Sequence, residues 1–265
     1  MATPKARKPK LAVWKFASCD GCQLSLLDCE DELLAVAEAV EIAYFLEATR
    51  ARVKGPFDIS LVEGSITTTA DANRLQRIRR QSRILISIGA CATAGGIQAL
   101  RNGRDIGGFI STVYAEPRFI DTLETSRPIR DLVKVDYELR GCPIDRGQLL
   151  SCLIELIQGR SPRLSQGSQC MECKAAGTVC VMVARGEPCL GPVTQRGCGN
   201  LCPGFGRGCY GCFGPKRRTN AGSLADHLDL EGEKLANLFE TFNAAAPAFH
   251  EAGERLRAKD SEGEP

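Results

Sequence analysis

Cysteine spacing is the feature that most limits what this chain can fold into, because 14 of its 265 residues are cysteines. That proportion is far above ordinary use but below that of small disulfide-stapled proteins. We find no secretory signal and no apolar stretch long enough to span a membrane. We therefore predict a cytoplasmic protein with reduced thiols, whose clustered cysteines bind metal rather than form disulfides.

The remaining composition is that of an ordinary globular protein, with 43% hydrophobic and 25% charged residues. The net charge of +2 gives no overall field that would favour nucleic acid or an anionic membrane. Residues 1–10 are basic and contain proline, and we expect them to form a disordered tail. The chain is therefore expected to have neither a nucleic-acid partner nor a membrane span.

Strand-like and helix-like patterns alternate through the first 160 residues. We predict strands at residues 11–16, 41–46, 58–62, 84–89 and 133–139. We predict helices at residues 20–39, 70–82, 92–100 and 145–158, the second of them capped by Thr69 or Asp71. This alternation, with fully apolar strands such as ILISIG, predicts an α/β domain with a flavodoxin-like, doubly wound parallel sheet over residues 11–160.

Four cysteines fall where predicted strands end. Cys19 and Cys22 follow the first strand. Cys91 follows the fourth strand and Cys142 the fifth. Because the carboxyl ends of parallel strands share one edge of the sheet, these thiols should converge there. Four converging thiolates suit a 4Fe–4S cluster or a tetrahedral zinc ion. Simple burial would explain Cys91 or Cys142 taken singly, but four cysteines at matching strand ends favour a metal site.

Glycines stand next to these four ligands. Gly21, Gly89 and Gly141 lack side chains and should expose peptide N–H groups that can hydrogen bond to cluster sulfurs. Pro143 fixes the chain just after its ligand. These neighbours favour an iron–sulfur cluster.

The regular alternation of strand-like and helix-like patterns ends near residue 161. Residues 161–265 are expected to form an iron–sulfur domain with a C-terminal helical segment at residues 223–249. Its cysteines are Cys170, Cys173, Cys180, Cys189, Cys198, Cys202, Cys209 and Cys212. Such a glycine-rich segment buries too little apolar surface to fold by itself, so it needs bound metal to stabilise it. The simplest partition is sequential, four cysteines to each site, and an interleaved partition remains open because Cys202–Pro203 is similar to the closing motif of two-cluster ferredoxins. A zinc ribbon expects two CxxC pairs only 15–20 residues apart, so the spacing disfavours zinc.

Four residues with metal-binding side chains are expected to have other roles. Cys29 and Cys152 lie among apolar neighbours on predicted helices, and we predict that they pack in the core. His227 and His250 have no obvious ligand partner, and we expect neither to bind metal.

Four motifs of the first half resemble those of the small subunit of nickel–iron hydrogenases. They are CDGCQ at 19–23, VEGS at 62–65, GACATAGG at 89–96 and RGCP at 140–143. The second half is similar to the cytoplasmic group 3b of these enzymes, which are the NAD(P)-linked hydrogenases and include sulfhydrogenases. The motifs that carry this similarity are CMEC at 170–173, PCLGPVTQRGCGNLCP at 188–203 and GRGCYGCFGP at 206–215. The resemblance covers about residues 11–216 and points to their delta subunit.

The resemblance implies a role for each cysteine by position. It assigns the proximal cluster to Cys19, Cys22, Cys91 and Cys142. It assigns the distal cluster to Cys170, Cys173, Cys180 and Cys189. It assigns the medial cluster to Cys198, Cys209 and Cys212, with Cys202 able to complete the set. Periplasmic relatives commonly carry histidine where Cys170 stands and proline where Cys202 stands, together with a 3Fe–4S centre. The resemblance therefore predicts three 4Fe–4S clusters and no 3Fe–4S centre.

The resemblance further implies an electron relay. Dihydrogen would react at a nickel–iron centre in a large subunit, and electrons would pass to diaphorase-type flavin and iron–sulfur subunits that bind NAD(P). This chain has no GxGxxG after a strand, so the dinucleotide should bind elsewhere. Glu63 follows the third strand and could relay protons or simply be a hydrogen-bonded loop carboxylate. The alternatives are a quinone-linked subunit similar to that of respiratory complex I and a zinc-stapled scaffold.

Overall fold

The computed structural model describes residues 7–228 and 232–263, with side chains described as far as residue 258. Five parallel strands form its sheet: β1 (Lys10–Lys15), β2 (Glu41–Phe45), β3 (Phe57–Glu63), β4 (Ser82–Ile88) and β5 (Tyr137–Leu139). Their order is β2-β1-β3-β4-β5, which is the flavodoxin-like order. The predicted fold class is therefore confirmed.

Helices cover both faces of this sheet and continue beyond it. Those of the first part are α1 (Gly21–Leu27), α2 (Glu30–Ala39), α3 (Thr69–Gln81), α4 (Gly89–Ala94), α5 (Ile106–Val113) and α6 (Arg146–Ile157). Those of the second part are α7 (Cys170–Ala175), α8 (Val181–Arg185), α9 (Leu201–Gly204), α10 (Ala221–His227), α11 (Gly232–Glu240) and α12 (Pro247–Gly263). Within these described ranges, no helix combines the length and apolar content needed to cross a bilayer.

Strand β4 shows why the sheet is buried on both sides. Its residues Ile86 and Ile88 join the core beneath α1, α2 and α6, whereas Leu85 joins the core on the opposite face. All three side chains are fully buried. Alternate residues of one strand thus supply two separate cores, as a parallel sheet between two helical layers requires.

A third core forms around the C-terminal helices. Phe239 of α11 and Phe249 of α12 meet edge to face, with ring centroids 5.3 Å apart. The same core includes Leu190 and Val193 from the cysteine-rich segment and Ala94 from α4. Burying these apolar side chains stabilises the cysteine-rich segment, which has little periodic structure of its own, and fixes it against the sheet domain.

The predicted helix at residues 20–39 is wrong in one respect, because it is two helices. The chain turns at Asp28 and Cys29, and Glu30 has a φ of 44°. Arg146 on α6 donates a hydrogen bond of 2.6 Å to the Asp28 carbonyl, which stabilises the turn. Both helices keep the same apolar spacing, so the sequence pattern does not reveal the break.

Other element boundaries also differ from prediction. Thr68 caps α3 by accepting a hydrogen bond from the Asp71 N–H, so the cap lies one residue before the predicted Thr69. The predicted helix at 92–100 is α4 followed by a 3-10 turn at Ile97–Arg101. The predicted strand at 133–139 shortens to β5, and the predicted C-terminal segment divides into α10, α11 and α12.

The N-terminal tail is shorter than expected. Arg7 pairs with Asp58 and Lys10 begins β1, so these residues are ordered against the sheet. Residues 1–6 of the predicted tail lie outside the described residues.

Candidate metal centres

The structure brings the first four predicted ligands together at the carboxyl edge of the sheet. Cys22 lies in the first turn of α1 and Cys91 in the first turn of α4, directly after β1 and β4 respectively. Burial, with smaller contributions from the neighbouring Cys142 and Cys19, raises the pKa of Cys91 to about 11. Burial likewise raises the pKa of Cys142, with Cys19 again contributing. These four residues, here called the proximal set, are therefore electrostatic neighbours.

Two glycines let the backbone approach the proximal thiols closely. A side chain on Gly89 would bring its Cβ within 3.0 Å of the Cys22 sulfur, and Gly89 also has a φ of 85°. A Cβ on Gly96 would lie 2.5 Å from the Cys91 sulfur. Gly89 was identified from the sequence by its position beside a ligand. Gly96 was not, because its contact depends on the loop after α4 folding back onto Cys91.

Glu63 ends β3 and lies fully buried beside the proximal set. Its carboxylate accepts hydrogen bonds from the Cys22 N–H at 3.1 Å and from the Gln23 amide at 2.6 Å. Burial raises the pKa of Glu63, whereas these two hydrogen bonds lower it. The carboxylate is therefore at the sheet edge that the sequence predicted, where it is buried and hydrogen bonded at the end of the strand rather than in a loop.

The next four cysteines, here called the distal set, comprise Cys170, Cys173, Cys180 and Cys189. Burial, with smaller contributions from each of the other three members, raises the pKa of Cys173 to about 11. A side chain on Gly191 would meet the sulfurs of both Cys189 and Cys170, at 3.3 and 3.4 Å. These contacts bring the four residues together, with Cys180 at the surface, and Cys198 is a further electrostatic neighbour of Cys173.

The last four cysteines, here called the medial set, comprise Cys198, Cys202, Cys209 and Cys212. Burial raises the pKa of Cys212 to about 12, with Cys198, Cys142 and Cys202 among the thiols that add to the rise. Burial also raises the pKa of Cys209, to which Cys189 and Cys212 both contribute. The medial set therefore lies between the other two, with Cys212 near the proximal set and Cys209 near the distal set.

Backbone N–H groups donate to several of these sulfurs. Cys189 accepts from the N–H groups of Gly191 and Cys209, at 3.4 and 3.1 Å. Cys209 accepts from the Gly211 N–H at 3.4 Å. The Ile144 peptide N–H lies near the Cys22 thiol and opposes the rise of its pKa by burial. Donors aimed at sulfur stabilise an ionised, metal-bound thiolate and tune its electronics.

The donor sets are chemically suited to iron–sulfur clusters. Buried thiols with raised pKa values do not ionise together without compensating positive charge, which a metal centre supplies. A tetrahedral zinc ion with bonds of about 2.3 Å needs sulfurs roughly 3.8 Å apart. Among residues 7–228 and 232–263, no three cysteine sulfurs lie within 4.8 Å of one another. No three cysteine sulfurs of the described residues are therefore as close together as a tetrahedral zinc ion requires.

Two cysteines and two histidines lie apart from these sets. Cys29 and Cys152 are buried, and Cys152 belongs to the core beneath α6, as predicted. His250 comes close to Glu240 and Glu254, a grouping that could hold a metal ion. Arg257 already pairs with both carboxylates, at 2.5 and 3.0 Å, so their charge is compensated within the protein.

Comparison with known proteins places this architecture in a family. The family model for the NADH ubiquinone oxidoreductase 20 Kd subunit matches residues 19–156. The delta subunit of sulfhydrogenase 2 from Pyrococcus furiosus is 36% identical over 236 residues, covering 88% of this chain and 98% of that protein. A chain of the F420-non-reducing hydrogenase from Methanocaldococcus jannaschii is 32% identical over 267 residues, covering 89% of each protein.

A solved structure agrees with these relatives. One chain of the NAD+-reducing [NiFe]-hydrogenase in the H2-reduced state superposes with a TM-score of 0.55 and 33% identity. The match covers 60% of this chain and 96% of that chain. The chain therefore belongs to the family of the NADH ubiquinone oxidoreductase 20 Kd subunit. Within it, the chain is a nickel–iron hydrogenase small subunit of the delta type, and the resemblance seen in the motifs is confirmed.

The extent of each match separates this chain from a subunit with a single site. The family model ends at residue 156, before the first cysteine of the distal set. A match to the sulfhydrogenase subunit over 88% of the chain necessarily includes residues 170–212. The second half is thus shared with hydrogenase subunits, which identifies this chain as an oxidoreductase subunit of the hydrogenase type.

Proposed function

We propose that this chain relays electrons in a nickel–iron hydrogenase through three 4Fe–4S clusters, one in each set of four cysteines. The observation that carries the proposal is that the medial set neighbours both of the others: the Cys209 N–H donates to the Cys189 sulfur at 3.1 Å, and the Cys212 thiol is an electrostatic neighbour of Cys142. When bound, each cluster supplies a one-electron carrier. The chain ligates the metal, buries the sulfurs and donates peptide N–H groups to them.

The same proposal assigns the sets to two parts of the chain. Residues 11–160 would form the sheet domain with the proximal set, and residues 161–265 would hold the medial and distal sets and the C-terminal helices. Helix α6 ends at Ile157, which supports a boundary near residue 160. The location would be the cytoplasm, where thiols remain reduced.

The large subunit that carries the nickel–iron centre would bind beside the proximal set. Gln98 lies in the 3-10 turn after α4, where its amide oxygen accepts from the Cys91 thiol at 3.4 Å. The same turn exposes Ile97, and the following segment exposes Val113 and Phe119 to 71% and 73%. Helix α5 has no buried residue, although its sequence IGGFISTV is apolar. An apolar segment of this kind is stable when a partner covers it, and its continuity with the proximal set favours the large subunit.

The acceptor side would be a diaphorase-type assembly with flavin, further iron–sulfur subunits and NAD(P) on other chains. A relative named a sulfhydrogenase subunit and a solved structure named an NAD+-reducing hydrogenase support a partner of this kind. Those names support the group 3b assignment made from the motifs.

Glu63 would relay protons next to the proximal set. Its burial, its raised pKa and its hydrogen bond from the Cys22 N–H support that role. The Gln23 amide also donates a hydrogen bond to the Glu63 carboxylate, so two donors fix the position of this carboxylate.

Metal analysis of the intact hydrogenase complex tests the proposal. Three clusters require about twelve irons in this subunit, with nickel in the large subunit and flavin elsewhere. Electron paramagnetic resonance of the oxidised complex should show no stoichiometric 3Fe–4S signal. A colourless, zinc-loaded subunit would support the scaffold alternative instead. About four irons would support the quinone-linked alternative, in which only the proximal set is loaded.

A further inference from the structure

One hydrogen bond joins two ligand sets directly. The Cys209 N–H, in the medial set, donates to the sulfur of Cys189, in the distal set, at 3.1 Å. A parallel contact holds the same two segments together, because the Leu190 N–H donates to the Cys209 carbonyl at 2.9 Å. Both cysteine side chains are buried. The backbone of one ligand therefore touches the sulfur of the next set without an intervening side chain or solvent.

Gly208 explains how the two segments come so close. A Cβ on Gly208 would lie within 3.0 Å of the Pro188 carbonyl oxygen and 3.4 Å from the Cys189 Cα. Gly208 is not among the glycines with positive φ, so its φ does not by itself require glycine. Space, rather than conformation, is what requires glycine at this position.

The other boundary between sets is also closely packed. The peptide N–H of Cys142, in the proximal set, lies near the Cys212 thiol of the medial set and opposes the rise of its pKa by burial. Gly141, next to Cys142, likewise has no room for a side chain, since its Cβ would lie 2.8 Å from the Phe213 ring. At both boundaries a glycine without room for a side chain precedes the cysteine that approaches the next set.

We propose that Gly208 is a positioning residue that holds the Cys209 N–H against the Cys189 sulfur, so that this hydrogen bond couples the medial and distal sets and raises the reduction potential of the distal cluster. The proposal rests on the proposed function. Reduction adds negative charge that spreads onto the thiolate sulfurs, and a directed N–H dipole stabilises that charge. In each transfer the distal set gains the one electron that the medial set loses, and the proton remains on the Cys209 nitrogen.

The test replaces one glycine in the intact hydrogenase complex. In Gly208→Ala the new methyl group forces the Cys209 segment away from Pro188 and breaks or lengthens the bond to Cys189. The matched control is Gly204→Ala in the same connection, where the new Cβ would meet only the Asn200 side chain, whose oxygen lies at 3.3 Å. Redox titration followed by electron paramagnetic resonance would give the potential of each cluster.

The expected result is a downward shift of the distal potential in Gly208→Ala, with the proximal potential unchanged and both potentials unchanged in Gly204→Ala. Iron content should stay the same in all three proteins. A fully loaded Gly208→Ala protein with the wild-type distal potential would overturn the proposal. If the wild-type subunit itself lacked three clusters, the proposed function would fail first, and iron analysis detects that separately.

A measurement on the wild-type protein covers the case in which Gly208→Ala does not load its clusters. After exchange into heavy water, electron–nuclear double resonance of the reduced distal cluster should show at least two exchangeable N–H couplings. The structure assigns them to Gly191 and Cys209, the two donors to the Cys189 sulfur. Fewer than two such couplings would contradict the bond on which the inference rests.

Discussion

Gly89 offers a sharp test of how the proximal set is built, because its replacement has a well-matched control. Gly89→Ala adds a methyl group at a residue with φ of 85°, within 3.0 Å of the Cys22 sulfur. Gly103→Ala adds the same group at φ of 76°, with nothing within 4 Å. Both variants acquire the backbone strain of a left-handed residue, about 1–2 kcal/mol. Only the first must also displace a ligand.

The additional cost follows from the packing around Cys22. Ordinary contact with a Cβ begins at 3.4 Å, so the sulfur must move by more than about 0.4 Å from a site that is only 7% exposed. Overpacking of this kind costs about 1–3 kcal/mol, so Gly89→Ala should lose about 2–5 kcal/mol in total. The displaced sulfur should also no longer hold the proximal cluster in place.

Two assays measure the difference between Gly89→Ala and Gly103→Ala. Denaturant unfolding gives the free energy for each variant, and iron analysis gives cluster content. We expect Gly89→Ala to lose about four of its roughly twelve irons, those of the proximal cluster, while Gly103→Ala keeps them all. Equal iron content and equal unfolding free energies in the two variants would show that Gly89 does not control the position of Cys22.

Three further predictions concern other parts of the chain. Cys202→Ala should remove about one iron and produce a 3Fe–4S signal in the oxidised protein, whereas Cys152→Ala, at a buried thiol outside the sets, should leave the spectrum unchanged; a silent Cys202→Ala would exclude Cys202 as a ligand. Glu63→Gln should slow hydrogen turnover roughly tenfold or more with intact cluster spectra, and the exposed Glu47→Gln should not; equal rates would reject the relay. Phe239→Ala should cost about 3–5 kcal/mol of unfolding free energy in denaturant titrations, against less than about 0.5 for the exposed Phe119→Ala, and a small loss would mean that the C-terminal core does not stabilise the chain.

The sheet and its edge could be predicted from the sequence because both follow from short-range patterns. Apolar runs such as that of β4 define buried strands, and parallel strands place their carboxyl ends together. That reasoning located Cys91 and Glu63 at the same edge, where the structure has them. It also located Cys29 and Cys152 in the interior, since free cysteines among apolar residues are commonly buried.

Contacts between distant segments could not be predicted in this way. The break between α1 and α2 depends on Arg146, more than a hundred positions away, reaching the Asp28 carbonyl. The close approach at Gly208 depends on Pro188, and no local pattern distinguishes this glycine from its neighbours. Such features arise from the packing of coil segments, whose conformation no periodicity determines.

The C-terminal core has a consequence for the order in which the protein matures. Leu190 and Val193 lie between the distal and medial ligands, yet they are buried against Phe239 and Phe249, which the ribosome adds later. Ala94 and the α10 residues of this core come earlier in the chain, but both of its phenylalanines belong to α11 and α12. The segment with the distal and medial sets therefore gains much of its apolar contact only when these last helices pack against it, so its closure comes late in folding.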